Sequence, residues 1–154
     1  MFGILVMLLS AVALTGCKED NPVDDNPLNN TPYTISGSGS GSQVVPAVGG
    51  SGTGTISGTY TPSSRQLVYT ANWNGLSDVP TAGGFYNAPA GTNGLAVSTP
   101  WTFSGGSAEL GSTTGTVTLT EAQAQDLING NWYYTYGTAT YPGGEVRGQI
   151  TASR

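Results

Sequence analysis

Tyr141-Pro142-Gly143-Gly144-Glu145-Val146-Arg147-Gly148-Gln149-Ile150 is the stretch that decides the fold. Pro142, Gly143 and Gly144 are turn formers, Pro by presetting φ and Gly by accepting conformations closed to other residues. After the turn, strand alternation puts Val146, Gly148 and Ile150 on one face and Glu145, Arg147 and Gln149 on the other. Only the first face is apolar, so the strand is expected to lie over a core. Gly148 has no side chain and predicts a large neighbour on that inner face, such as one of the aromatics that precede the turn.

Working back from this strand, Trp132 to Thr138 carries the same alternation with four aromatics close together. Ahead of it the period changes from two to three or four. Thr120 suits a helix N-cap with Gln123 three residues on, Ala122, Ala124, Leu127 and Ile128 give an apolar face, and Gly130 fits the C-terminal end. One short helix near 121–129 follows. Thr114 to Thr120 reads as a strand with Val117 and Leu119 inward. Gly54 to Tyr60, with Ile56 and Tyr60 inward, and Gln66 to Asn74, with Leu67, Tyr69, Ala71 and Trp73 on one face, make a hairpin across Thr61-Pro62-Ser63-Ser64. Weaker strands are expected at Tyr33–Ser36, Gly83–Asn87, Leu95–Ser98 and Trp101–Phe103, with the Gly-Ser repeat 37–42 as a loop. Short strands at this spacing indicate an antiparallel sandwich or barrel.

Composition narrows the chemistry. The chain has 154 residues, 24 Gly, one Cys and no His, and a net charge of -5 with only four basic residues. Nucleic acid binding needs clustered Lys and Arg, so it is not expected. A copper or zinc site needs imidazole or thiolate, so neither a metal nor another cofactor is expected. A lone Cys also rules out an internal disulfide, leaving burial and strand pairing to hold the domain together.

Residues 1–16 read as a signal segment: Phe2 to Leu14 is an almost unbroken apolar run, too short to span a bilayer. The run ends Leu14-Thr15-Gly16-Cys17, which resembles the lipobox of bacterial lipoproteins and implies lipid on Cys17 and a membrane partner through it. Residues 17–32 follow as an acidic, Pro-rich linker too polar to order itself. Extended, Lys18 to Pro32 reaches about 50 Å. Lys18-Glu19-Asp20 is similar to signals that route some lipoproteins to the outer face of the outer membrane. The expected location is the outer membrane, with the cell surface as the finer expectation.

Residues 33–154 form the expected domain, and here the pieces carry a resemblance. Thr118-Leu119-Thr120-Glu121, the aromatic strand from Trp132 to Thr138, and Pro142 to Ile150 resemble the C-terminal half of the chordin-type (CHRD) domain. Gln43-Val44-Val45-Pro46 and Ala88-Pro89-Ala90-Gly91 are similar to its other two landmarks. The resemblance implies an extracellular all-β domain, an antiparallel Greek-key β-sandwich of immunoglobulin-like or superoxide-dismutase-like form, with no established enzymatic activity. The chain departs from the family pattern at Phe85, Asn87 and Gly137, where members often carry His, and at Val44, where Glu is usual.

Three functional readings remain. Glu145 and Arg147 lie about 7 Å apart along one strand face. They form either a surface ion pair or a structural clamp in which Arg147 holds loop carbonyls with its forked donors, and the resemblance favours the clamp. Trp73, Trp101, Trp132, Tyr133, Tyr134 and Tyr136 are candidates for stacking a glycan; Trp132 to Tyr136 puts aromatics on both faces, so at least one must reach the surface or a second layer. A hydrolase would have to draw its carboxylates from Asp78, Glu109 and Glu145, whose contexts do not favour it. The leading expectation is a non-catalytic binding, adhesion or structural module whose partner is an unidentified protein or glycan.

Overall fold

The computed structural model describes residues 30–154. The signal segment, Cys17 and the linker as far as residue 29 lie outside the described residues. Nine strands and one α-helix follow in the order β1 (Tyr33–Ser40), β2 (Thr53–Thr61), β3 (Gln66–Asn74), β4 (Ala82–Asn87), β5 (Leu95–Ala96), β6 (Leu110–Thr118), α1 (Glu121–Ile128), β7 (Trp132–Gly137), β8 (Val146–Gln149) and β9 (Thr151–Ser153). A 3-10 turn at Gly41–Gln43 follows β1.

The hairpin of β2 and β3 forms where alternation places it. Ile56, Tyr60, Leu67, Tyr69, Ala71 and Trp73 are buried, while Thr55, Thr59 and Val68 face out. The helix opens with a full capping box: the Gln123 amide donates to Thr120 Oγ1 at 3.2 Å and the Thr120 amide donates to Gln123 Oε1 at 2.9 Å. It ends at Gly130, whose φ of 76° lets its amide turn back to the Leu127 carbonyl at 3.1 Å.

All pairings are antiparallel, and the strands form one continuous sheet in the order β5-β4-β7-β8-β1-β2-β3-β6, with β9 beside β1. The chain is thus all-β, and its two layers are the halves of a single sheet curled on itself. Tyr69 of β3 meets Phe85 of β4 with ring centres 4.7 Å apart, and Trp73 of β3 meets Tyr136 of β7 at 5.4 Å. These rings, with Ile35, Leu119, Leu127, Trp132, Val146 and Ile150, are the core.

Two segments differ from the expectation. The Gly-Ser repeat is not a loop from residue 37: β1 runs through it to Ser40, paired residue for residue with β2. The reason is close approach. A Cβ on Gly39 would lie 2.8 Å from the Tyr134 hydroxyl, and one on Gly148 would overlap the Tyr134 ring, so only glycines let these strands pass over that side chain. Trp101–Phe103 is not a strand either. Val97 and Trp101 donate amides to Phe85 and Gly83 at 3.0 and 2.9 Å, and their segment plugs the opening between β4 and β6 with the Trp101 and Phe103 rings.

An arginine beneath two loops: the candidate functional site

Val146, Gly148 and Ile150 face the core, but the opposite face of β8 is also covered. The loop after β1 and the loop around residues 88–94 lie across it, so Arg147 is buried and Gln149 half-buried rather than solvated. Alternation set the faces correctly; the second layer is a tertiary contribution that a strand pattern cannot carry.

Arg147 sits at the centre of that layer. Its guanidinium lies 3.8 Å above the centre of the Tyr133 ring, a cation-π contact that replaces part of the lost hydration. Nη2 donates to the Pro89 carbonyl at 3.0 Å and to Gln149 Oε1 at 3.2 Å, and Nη1 reaches the Gln43 carbonyl at 3.5 Å. Burial pulls the Arg147 pKa down, opposed by Tyr133. Gln149 extends the network, donating Nε2 to the carbonyls of Ala88 at 3.0 Å and Gly130 at 2.8 Å, while its amide donates to Gln43 Oε1 at 3.3 Å. The Asn93 side chain donates to the Val45 carbonyl at 2.8 Å and the Gly94 amide to the Tyr133 hydroxyl at 3.0 Å, tying the loops to each other and to the strand beneath. The three landmarks Gln43–Pro46, Ala88–Gly91 and Glu145–Gln149 therefore meet around one guanidinium. A cleft of about 180 Å³ opens beside it between Gln43, Val45, Ala90 and Gln149.

Glu145 does not belong to this cluster. It is buried, and its oxygens accept from the Ser77 amide, the Ser77 hydroxyl and the Thr138 hydroxyl, each at 2.7 Å. Glu145 and Arg147 form no ion pair with each other among the described residues. The carboxylate instead staples the turn after β3 to the end of β7. Asp78 Oδ1 accepts from the Val79 amide at 2.7 Å, and Glu109 is exposed in the turn before β6. Among the described residues, no group of three His, Cys, Asp or Glu side chains is placed to hold a metal ion.

The aromatic candidates need a correction. Trp73, Trp101, Trp132, Tyr133, Tyr134 and Tyr136 are all buried, so none offers a ring face to a sugar. The reason is the curl of the sheet, which turns one side of β3, β4 and β7 into a common interior. Tyr133 is the one on the other face; it reaches the second layer, between Arg147 and Tyr86, whose ring centre is 5.3 Å away.

The positions where the family often has His do not converge. Phe85 faces the core opposite Tyr134, and Asn87 donates to Asp126 Oδ2 at 2.6 Å. Gly137 lies three positions beyond Tyr134 on β7 and so on the other face from Phe85. Sequence reasoning missed Gln149 as a member of the cluster, although its place two residues after Arg147 in the same motif was a usable signal. Ser77, Thr138 and Asn93 left no comparable signal, because their roles come from loops that only the fold brings together.

Among models of known protein families, the CHRD domain matches residues 35–150 of this chain. No curated protein and no solved structure matches it.

Proposed function

The chain belongs to the CHRD domain family, which residues 35–150 match, and from the Leu14-Thr15-Gly16-Cys17 segment ahead of that domain we propose that it is a lipid-anchored envelope protein whose domain works by contact and not by catalysis. In this reading residues 1–16 are removed, Cys17 carries lipid, residues 17–32 act as a leash, and residues 33–154 are displayed from the outer membrane, facing the cell surface. Several acyl chains together hold a protein firmly where a single one does not.

The observation that best supports contact over chemistry is the internal use of the most reactive-looking groups. Glu145 is committed to Ser77 and Thr138, and Arg147 to Pro89, Gln43 and Gln149. A hydrolase built on Glu145 would need that carboxylate free to meet substrate. The same arrangement supports Arg147 as a clamp that fixes two surface loops and so shapes a presenting surface. Glycan stacking by the six named aromatics loses its support, since all are buried.

The test is made in cells. With an alkyne-tagged fatty acid in the medium, the wild-type chain takes up label and Cys17→Ser does not; external protease removes the domain from intact cells; and photo-crosslinking at the cell surface captures a partner. An unlabelled wild-type chain would reject the anchor. A domain that resists protease until the cells are lysed would reject surface display, and absence of any crosslinked partner would reject contact as its work.

A further inference from the structure

We propose that the groove between α1 and the adjoining ends of β1 and β2 binds the carboxylate of an acidic sugar. This deepens the contact reading above and rests on it. The groove has a volume of about 320 Å³ and is lined by Tyr33, Tyr60, Arg65, Glu121, Gln125 and Arg154 among others.

The placement of positive charge carries the argument. The chain has four cationic residues: Lys18 lies outside the described residues and Arg147 is buried in its own cluster. The remaining two, Arg65 and Arg154, come from distant parts of the chain into this one groove, and both are exposed. Neither has an ion-pair partner among the described residues. Arg154 is held over the Tyr33 ring at 4.1 Å, which orients its guanidinium without neutralising it. In a chain of net charge -5, two guanidinium groups without an ion-pair partner line this one groove and favour an anion there.

A second, independent observation lies in the backbone. Arg65 has φ 54°, and every other described residue with a positive φ is a glycine. A glycine would take this turn position between β2 and β3 without strain, so the chain holds an arginine in a disfavoured conformation at the mouth of the groove.

The rest of the lining selects among anions. Glu121 repels a phosphate dianion, which puts two charges on one group, but it accepts hydrogen bonds from sugar hydroxyls, as the Gln125 carbonyl can. A carboxylate carries a single charge in a planar fork that matches guanidinium. The volume lies at the lower end of ligand sites, which run from about 300 Å³ upward, and suits a short saccharide.

The experiment titrates tri-galacturonate into the full chain purified in detergent, beside neutral tri-galactose and inorganic phosphate. Tri-galacturonate is expected to bind saturably, with tri-galactose and phosphate each at least about tenfold weaker. Arg154→Gln is expected to weaken binding by about tenfold or more. Arg65→Gly is the sharper variant: it relaxes the backbone, so the melting temperature rises while binding falls by a similar factor. The proposal is overturned if tri-galacturonate does not bind, if tri-galactose or phosphate binds as tightly, or if both arginine variants bind as the wild type does. Should it fail while surface crosslinking still captures a partner, contact as the protein's work stands and only this site is lost.

Discussion

Glu145 and Arg147 stand two positions apart in one motif, and each is buried against a different loop instead of against the other. Glu145 fastens the turn after β3, and Arg147 fastens the loops at residues 43 and 89. A double-mutant cycle with Glu145→Gln and Arg147→Met should therefore give two destabilised single variants and a coupling within about 0.5 kcal/mol of zero. A coupling well above that, measured by urea unfolding, would restore the ion pair that the spacing suggests.

Removing the guanidinium should loosen the loops it holds. Arg147→Ala loses charge-assisted hydrogen bonds and the contact with Tyr133, and is expected to cost about 3 kcal/mol. Hydrogen exchange should speed up across residues 88–94, most visibly at Gly94, whose amide is bonded to the Tyr133 hydroxyl. Arg147→Lys keeps the charge but lacks the fork and should recover less than half of the loss. An unchanged melting temperature in Arg147→Ala would reject the clamp.

Gly148 and Tyr134 occupy facing positions on β8 and β7, and the Tyr134 ring fills the space a side chain at 148 would need. Gly148→Ala should cost at least about 1–3 kcal/mol by overpacking. Adding Tyr134→Leu, which clears the space, should return part of that stability in thermal unfolding. If Gly148→Ala is neutral alone, the close packing described for this pair is wrong.

The Tyr134 and Tyr136 hydroxyls are buried without a hydrogen-bond partner among the described residues. An unsatisfied buried hydroxyl is destabilising, so Tyr134→Phe and Tyr136→Phe should each raise stability by about 1 kcal/mol. Loss of stability in both, seen in denaturant unfolding, would mean that these hydroxyls are bonded after all.

Burial also raises the pKa of both phenols above the ordinary value of 10.0, for Tyr136 with help from Tyr134 and Tyr69. The unfolded chain ionises near that ordinary value while the folded chain keeps its protons. The contribution of these groups is thus fully present below about pH 10 and is lost as the pH climbs from there toward the raised folded pKa. Each phenol steepens the fall by about 1.4 kcal/mol per pH unit. Melting temperature should hold level with respect to these groups up to about pH 10 and then drop, and the double Phe variant should drop less steeply. Equal alkaline slopes in the two proteins would contradict this.

The elements read most clearly from sequence are those whose causes are local. The faces of β2, β3 and β8 follow from alternation, and α1 follows from Thr120, Gln123 and Gly130, whose capping contacts lie within a few residues of one another. Gly148 even announced a large neighbour, and that neighbour is Tyr134. The Gly-Ser repeat misled because small residues make both flexible loops and tightly crossed strands, and nothing within the repeat distinguishes the two.

By itself the sequence determined which side chains share a strand face, where the helix begins and ends, and that imidazole and a second thiol are absent, since these are matters of composition and short-range geometry. The tertiary structure alone decided that the polar face of β8 is covered, that the six aromatics are all buried, and that Arg65 and Arg154 line one groove beside α1. Those outcomes depend on how far one sheet curls and on loops distant in the chain closing over it. No local pattern encodes such closure, because its free energy comes from contacts between residues that are neighbours only after folding.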